Sequence, residues 1–207
     1  MPTDQFNNLK EDKKNIIIQA ALTEFGEVGV VGASTNSMVK KCGISKGSLF
    51  KYFETKDDLC FYLFDLVTDR MLNDLSVNLP HFSTELFDRI IDYSVWETGW
   101  YIKNPKEGRF VIAVAEETDR EFVIKRTARY GKKSSNVYEN LLSDTDIGSL
   151  SVDRKSASRM IGWVLEGYNK EFLASADTKT SDLSTLQQEY LQGINEYVSI
   201  LKKGLTG

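Results

Sequence analysis

Two cysteines, one histidine and three prolines in 207 residues exclude several kinds of chemistry. Cys42 and Cys60 form no CxxC pair and have no histidine beside them, so neither a disulfide framework nor a Cys/His metal site is encoded. Both read as small buried hydrophobes. His81, next to Pro80 in an expected loop, reads as a surface residue. A single histidine excludes a His-rich metal site and argues against a Ser/His/Asp triad. GxGxxG and P-loop motifs are absent, and no cofactor or metal is called for. The apolar runs, residues 16–18 and 110–115, are far shorter than the ~20 residues of a membrane span. The opening MPTDQFNNLKEDKKN lacks the apolar centre of a signal peptide. The expected setting is therefore the cytoplasm, with no membrane and no enzymatic activity.

The chain carries 41% hydrophobic and 27% charged residues, as a globular protein does. Few prolines, and no Gly/Ser-rich or Pro-rich linker, favour a mostly helical chain. The net charge of −4 opposes non-specific coating of nucleic acid. Its distribution is uneven. Residues 34–56 hold Lys40, Lys41, Lys46, Lys51 and Lys56 against Glu54 alone, a net +4 that leaves −8 on the remainder. A basic patch on an acidic body is the footprint of a nucleic-acid contact.

Apolar spacing predicts a helix over 9–28, with Ile18, Ala21, Phe25 and Val28 on one stripe. GVVGAS follows as a loop. Ser34 or Thr35 caps a short helix over 35–42, and Gly43 ends it by accepting a left-handed backbone. Ser45 caps a third helix over 46–53, with Ile44, Leu49 and Phe53 facing inward toward Phe25. Two short helices joined through Gly-Ile-Ser form a helix-turn-helix unit. Beyond it, longer helices are expected over 56–78, 83–103, 105–117, 119–143, 151–175 and 182–203. The expected fold is all-α, with a DNA-binding head over 1–55 and a larger helical part over 56–207.

The third helix is the one that enters a major groove in such a unit. Lys46 and Gly47 open it. Lysine donates to guanine O6 and N7, and a residue without a side chain lets the backbone come close. Lys51 lies one turn beyond Gly47 on the same face. Ser45, Ser48, Tyr52 and Lys56 are candidate phosphate donors. So are the backbone N–H groups of Ser34 and Thr35.

With these residues in place, STNSMVKKCGISKGSLFKYFETKDDL resembles the head of TetR-family transcriptional repressors, most closely over residues 10–60. The rest of the chain is similar to that family in length and helix pattern only. The resemblance implies a homodimer, a palindromic double-stranded DNA operator and a small-molecule effector pocket in the C-terminal part. One residue departs from the pattern. Phe50 stands where the family usually has tyrosine, so one phosphate contact is lost or becomes apolar contact with a thymine methyl.

For the pocket, Trp96, Trp100, Phe110, Thr127, Tyr130 and Tyr168 are the candidate lining, with Ile91 and the polar Glu97, Glu116 and Asn169. Aromatics at helical spacing also build cores. A lipophilic cation would want carboxylates and aromatic faces. A fatty acyl thioester would want a basic mouth, for which Arg109, Arg126 and Arg129 are candidates. For the dimer, the helices near 151–175 and 182–203 are expected to pair with their counterparts, helped by Gly162, Trp163 and Gly167. The alternatives are a ligand-free architectural or division-related DNA binder with the same head and, more remotely, an all-α transferase.

Overall fold

The computed structural model describes residues 1–130, 145, 148–175 and 183–206. Among these residues every regular element is helical. The helices are α1 (Asp4–Asn7), α2 (Glu11–Val28), α3 (Thr35–Cys42), α4 (Lys46–Tyr52), α5 (Lys56–Asn78), α6 (Leu86–Lys103), α7 (Pro105–Glu116), α8 (Arg120–Tyr130), α9 (Arg154–Ser175) and α10 (Leu183–Thr206). A 3-10 turn, Leu79–His81, follows α5 and carries His81 on the surface. Expected and observed helix ends agree within a few residues. The continuation of the helix expected over 119–143 lies outside the described residues beyond Tyr130.

The chain divides into two compact units. The first joins Met1–Asp74 to Asn104–Lys125, and the second joins Leu75–Lys103 to Arg126–Gly207. The sequence predicts a boundary near residue 55, so the inclusion of α5 and α7 in the first unit differs from that expectation. Packing explains it. Phe110 of α7 is fully buried, with its ring 5.8 Å from that of Phe25 on α2. A Cβ at Gly26 would lie 3.2 Å from both Arg109 Cβ and the Phe110 backbone nitrogen, so the glycine permits this close approach.

Aromatic contacts complete the first unit. Phe6, on the short α1, is buried among Tyr52, Phe53 and Tyr62, with ring centroids 6.0, 4.8 and 5.4 Å away. Phe53 thus packs on Phe6 and Tyr62. Thr3 completes the attachment. Its N–H donates to the Tyr52 carbonyl and its hydroxyl to the Lys51 carbonyl, at 3.0 and 2.7 Å. These bonds satisfy carbonyls that the last turn of α4 leaves open.

The second unit is a bundle of α6, α9 and α10. Leu86, Phe87 and Ile90 of α6 pack with Ala157, Ile161 and Leu165 of α9 and with Ile194, Val198, Leu201 and Leu205 of α10. Inside it runs a chain of polar contacts. The Tyr93 hydroxyl donates to Glu97 Oε1 at 3.0 Å, and the Asn169 amide donates to Glu97 Oε2 at 2.6 Å. The Tyr190 hydroxyl donates to Asn169 Oδ1. No helix among the described residues is long and apolar enough to cross a membrane.

Candidate nucleic-acid interface

Two serine caps and one glycine shape the helix-turn-helix. Ser34 Oγ accepts from the Ser37 N–H at 3.5 Å, and Ser45 Oγ accepts from the Ser48 N–H at 3.0 Å. Between them Gly43 adopts φ 66° and ψ 31°, and its N–H returns to the Val39 carbonyl. A residue with a Cβ is strained there, which is why α3 ends at that point.

The structure turns Ser45, Lys46, Gly47, Phe50 and Lys51 outward, with Ser48 half-buried. Phe50 is 40% exposed, high for a phenylalanine in a small head. Among the described residues neither Lys46 nor Lys51 forms an ion pair, so both ammonium groups are available. At Gly47 a Cβ would meet nothing nearer than Ser45 Oγ at 3.9 Å. Packing within the protein therefore has no need of glycine there.

Four of the expected contacts have partners within the protein. Tyr52, expected as a phosphate donor, is buried, because it shares the inner face of α4 with Leu49 and Phe6 lies against it. The Ser34 N–H, expected to face phosphate, donates to Glu24 Oε1 at 3.1 Å, leaving the Thr35 amide for that role. Lys56 donates to the Val31 and Ala33 carbonyls at 2.8 and 3.1 Å, so it first clamps the loop between α2 and α3. Ser45 and Ser48 share a hydrogen bond of 2.8 Å between their hydroxyls, so only one hydroxyl proton of the pair points elsewhere.

Two acidic residues outside the sequence prediction complete the site. Glu24 is buried on α2 and also accepts from the Ser37 hydroxyl and, at 3.1 Å, from Lys41 Nζ. Burial raises its pKa, but the bonds from Ser37, Ser34 and Lys41 together outweigh this and hold it below the ordinary glutamate value. Glu117, after α7, accepts from the Val31 N–H at 3.1 Å and holds the same loop from its other side. Glu24 was hidden because its position in the apolar stripe of α2 suggests no role, and Glu117 because its partner is 86 residues away.

The expected pocket residues separate. Phe110 belongs to the core of the first unit. Thr127 is exposed and Tyr130 half-buried, the latter 5.5 Å from the Arg129 guanidinium. Trp96 and Trp100 lie on α6 on either side of Glu97, and Trp96 meets Tyr93 at 5.6 Å. Tyr168 stands beside Asn169 on α9 and donates to the Tyr190 carbonyl at 3.0 Å. The structure thus brings Glu97 and Asn169 into direct contact, with Trp96, Trp100 and Tyr168 as their neighbours along the two helices. Glu116 ends α7 and is exposed. Of the helix-pairing residues, Trp163 is 65% exposed, Gly167 is exposed and Gly162 is buried.

Residues 17–63 match the model of the bacterial regulatory proteins of the tetR family. An HTH-type transcriptional regulator of Staphylococcus aureus strain MRSA252 is 26% identical over 140 residues, 67% of this chain and 71% of the relative. The fold is that of a TetR family transcriptional regulator from Chloroflexus aurantiacus, at 22% identity and TM-score 0.73, covering 100% of this chain and 99% of the other. It is also that of FadR from Bacillus subtilis, solved in complex with stearoyl-CoA, at 14% identity and TM-score 0.66, covering 89% and 97%. Residues 17–63 thus match the head of the tetR family of bacterial regulatory proteins, and the fold of the chain is similar to that of solved regulators of that family.

Proposed function

We propose that the chain is a homodimeric repressor that grips a palindromic operator through residues 45–51 and is released by a small hydrophobic effector held in the C-terminal part. The observation that carries the reading is the outward face of α4. It presents two lysines without acidic partners, a glycine that internal packing does not require, and an exposed phenylalanine. Lys46 and Lys51 would read guanine edges, Phe50 would meet a thymine methyl, and Ser45, Ser48 and the Thr35 amide would hold phosphates. Tyr52 would anchor α4 through its inner face, and Lys56 would hold the loop between α2 and α3.

Dimerisation would use α9 and α10. Met160 and Trp163 on α9 are 42% and 65% exposed, and Tyr197 and Ile200 on α10 are 40% and 60% exposed. Large apolar side chains spaced three apart on two neighbouring helices support a partner face. Pairing there would set two α4 helices about one DNA turn, or a multiple, apart. The effector would act by binding better to the form that does not fit DNA. Trp96, Trp100 and Tyr168 near Glu97 and Asn169 are the residues offered for that ligand. A protein of this fold that holds stearoyl-CoA supports a small-molecule response.

The test is selection of genomic DNA fragments by the purified protein beside Lys46→Ala/Lys51→Ala. Enrichment of a short palindrome by the wild type alone supports the reading. No enrichment by either, in low salt and with mass spectrometry showing no bound ligand, rules it out. The recovered fragment then screens effectors by loss of binding.

A further inference from the structure

A carboxylate is an unexpected side chain for the buried face of α2. Ala20, Ala21 and Phe25 around Glu24 are buried and apolar, and an apolar side chain would fill the position without desolvating a charge. What Glu24 touches gives its reason. It accepts from Ser34 just before α3, from Ser37 in the first turn of α3, and from Lys41 in the last turn. These three residues, three and four apart, lie on one face of α3. One side chain therefore holds the helix along its whole length. Lys41 also approaches Glu27 at 3.8 Å, a further tie to α2. Since α3 runs through the three-residue turn Gly43–Ser45 directly into α4, a slide or roll of α3 on α2 is passed to α4.

We infer that Glu24 is a positioning residue for DNA recognition: it pins α3 to α2 at three points and so sets how α4 presents Lys46, Gly47 and Lys51. The inference rests on the reading of α4 as the DNA grip. It separates two jobs in the head. Apolar residues such as Leu22, Phe25, Met38 and Leu49 make α2, α3 and α4 adhere, but apolar contact is non-directional. The carboxylate, with fixed hydrogen-bond directions, selects one arrangement among those that apolar packing would tolerate.

The experiment compares wild type, Glu24→Leu, Glu24→Gln, Ser37→Ala and Lys46→Ala/Lys51→Ala. Each is titrated against the duplex that the wild type recovers from a random-sequence library, and against a scrambled duplex of the same length. Unfolding temperature and amide exchange over residues 34–42 are read on the same samples. For Glu24→Leu, affinity for the recovered duplex falls about ten-fold or more while scrambled-duplex affinity in low salt stays within about two-fold. Exchange over 34–42 speeds up, without a matching drop in unfolding temperature. Glu24→Gln, which keeps an acceptor but not the charge, falls between wild type and Glu24→Leu. Ser37→Ala, which removes one anchor, shows the same loss of selectivity to a smaller degree, and it decides the matter if Glu24→Leu does not fold. Wild-type selectivity in both Glu24→Leu and Ser37→Ala overturns the inference. So does a loss in Glu24→Gln equal to that in Glu24→Leu with both melting early, since the role is then stability alone. If Lys46→Ala/Lys51→Ala binds the recovered duplex as the wild type does, the grip itself is misassigned, and the role of Glu24 falls with it.

Discussion

The two units each bury one glutamate of particular interest, and the two behave in opposite ways. Glu24, in the first unit, is held below the ordinary glutamate pKa, whereas Glu97, in the second, is pushed up to about 7. Burial is the largest single influence on both, and in both it favours the neutral acid. Glu97 lies deeper, so burial acts on it more strongly, and the donors differ as well. Glu24 accepts from a backbone N–H, a hydroxyl and the Lys41 ammonium. Glu97 accepts from the Tyr93 hydroxyl and the Asn169 amide, both neutral, and the Glu166 carboxylate on α9 adds repulsion. Deeper burial of Glu97, and the one additional, charged donor Lys41 at Glu24, thus separate a fixed anion from a group that titrates near neutrality. The first suits a part that must hold one geometry, and the second leaves the bundle interior sensitive to pH.

The contrast predicts pH profiles of opposite sign. A raised folded pKa gives stability that is fully present below the unfolded value of about 4.5 and is lost as pH rises through about 7. A lowered one gives stability present above about 4.5 and lost on acidification. The three tryptophans, Trp96, Trp100 and Trp163, all belong to the second unit, so their fluorescence reports that unit alone.

The largest break comes from Asn169→Leu. It removes a donor from Glu97 and the acceptor of the Tyr190 hydroxyl, and at pH 8 it should cost about 3–4 kcal/mol in urea unfolding followed by tryptophan fluorescence. At pH 5, with Glu97 neutral, the cost should be visibly smaller. Next, Glu97→Gln removes the titration. The wild-type second unit should lose about 3 kcal/mol between pH 4.5 and pH 8, and the variant should show a nearly flat profile that overtakes the wild type above pH 7. A wild-type profile that is already flat would refute the assignment of a near-neutral pKa to Glu97. Tyr93→Phe removes one neutral donor and should cost about 2 kcal/mol at pH 8, with most of the loss recovered at pH 5. The smallest effect is expected in the first unit. Lys41→Met removes the partly exposed cation and should lower stability at pH 7 by about 1 kcal/mol, shrinking toward zero near pH 3, as read by calorimetry. If Lys41→Met matched the wild type at every pH, the hydroxyl and backbone donors alone would account for Glu24.

The head was the more legible part because its signals are local. Ser34, Gly43 and Ser45 declare caps and a turn within twelve residues, and the structure forms each of them. The outward position of Lys46, Gly47 and Lys51 follows from helix periodicity once Leu49 is buried. The burial of Tyr52 is not legible because Phe6, which covers it, comes from a four-residue helix too short for any periodic signal. Lys56 looked like a free charge because its acceptors, the Val31 and Ala33 carbonyls, are backbone atoms that carry no mark in the sequence. In the second unit, Glu97 and Asn169 could be named as polar residues on apolar helices. Their pairing across 72 positions could not.

What the sequence determined by itself is the order of the helices, the helix-turn-helix, and the side of α4 that carries charge, because caps, turns and 3.6-residue periodicity act between residues a few positions apart. What only the tertiary structure decided is which polar groups are spent inside. Lys56, Ser34 and Tyr52 are drawn into the first unit, α7 joins α2 there, and Glu24 and Glu97 acquire opposite ionisation tendencies. Each of these outcomes depends on partners distant in sequence, and a buried charge is settled by the donors that folding brings to it.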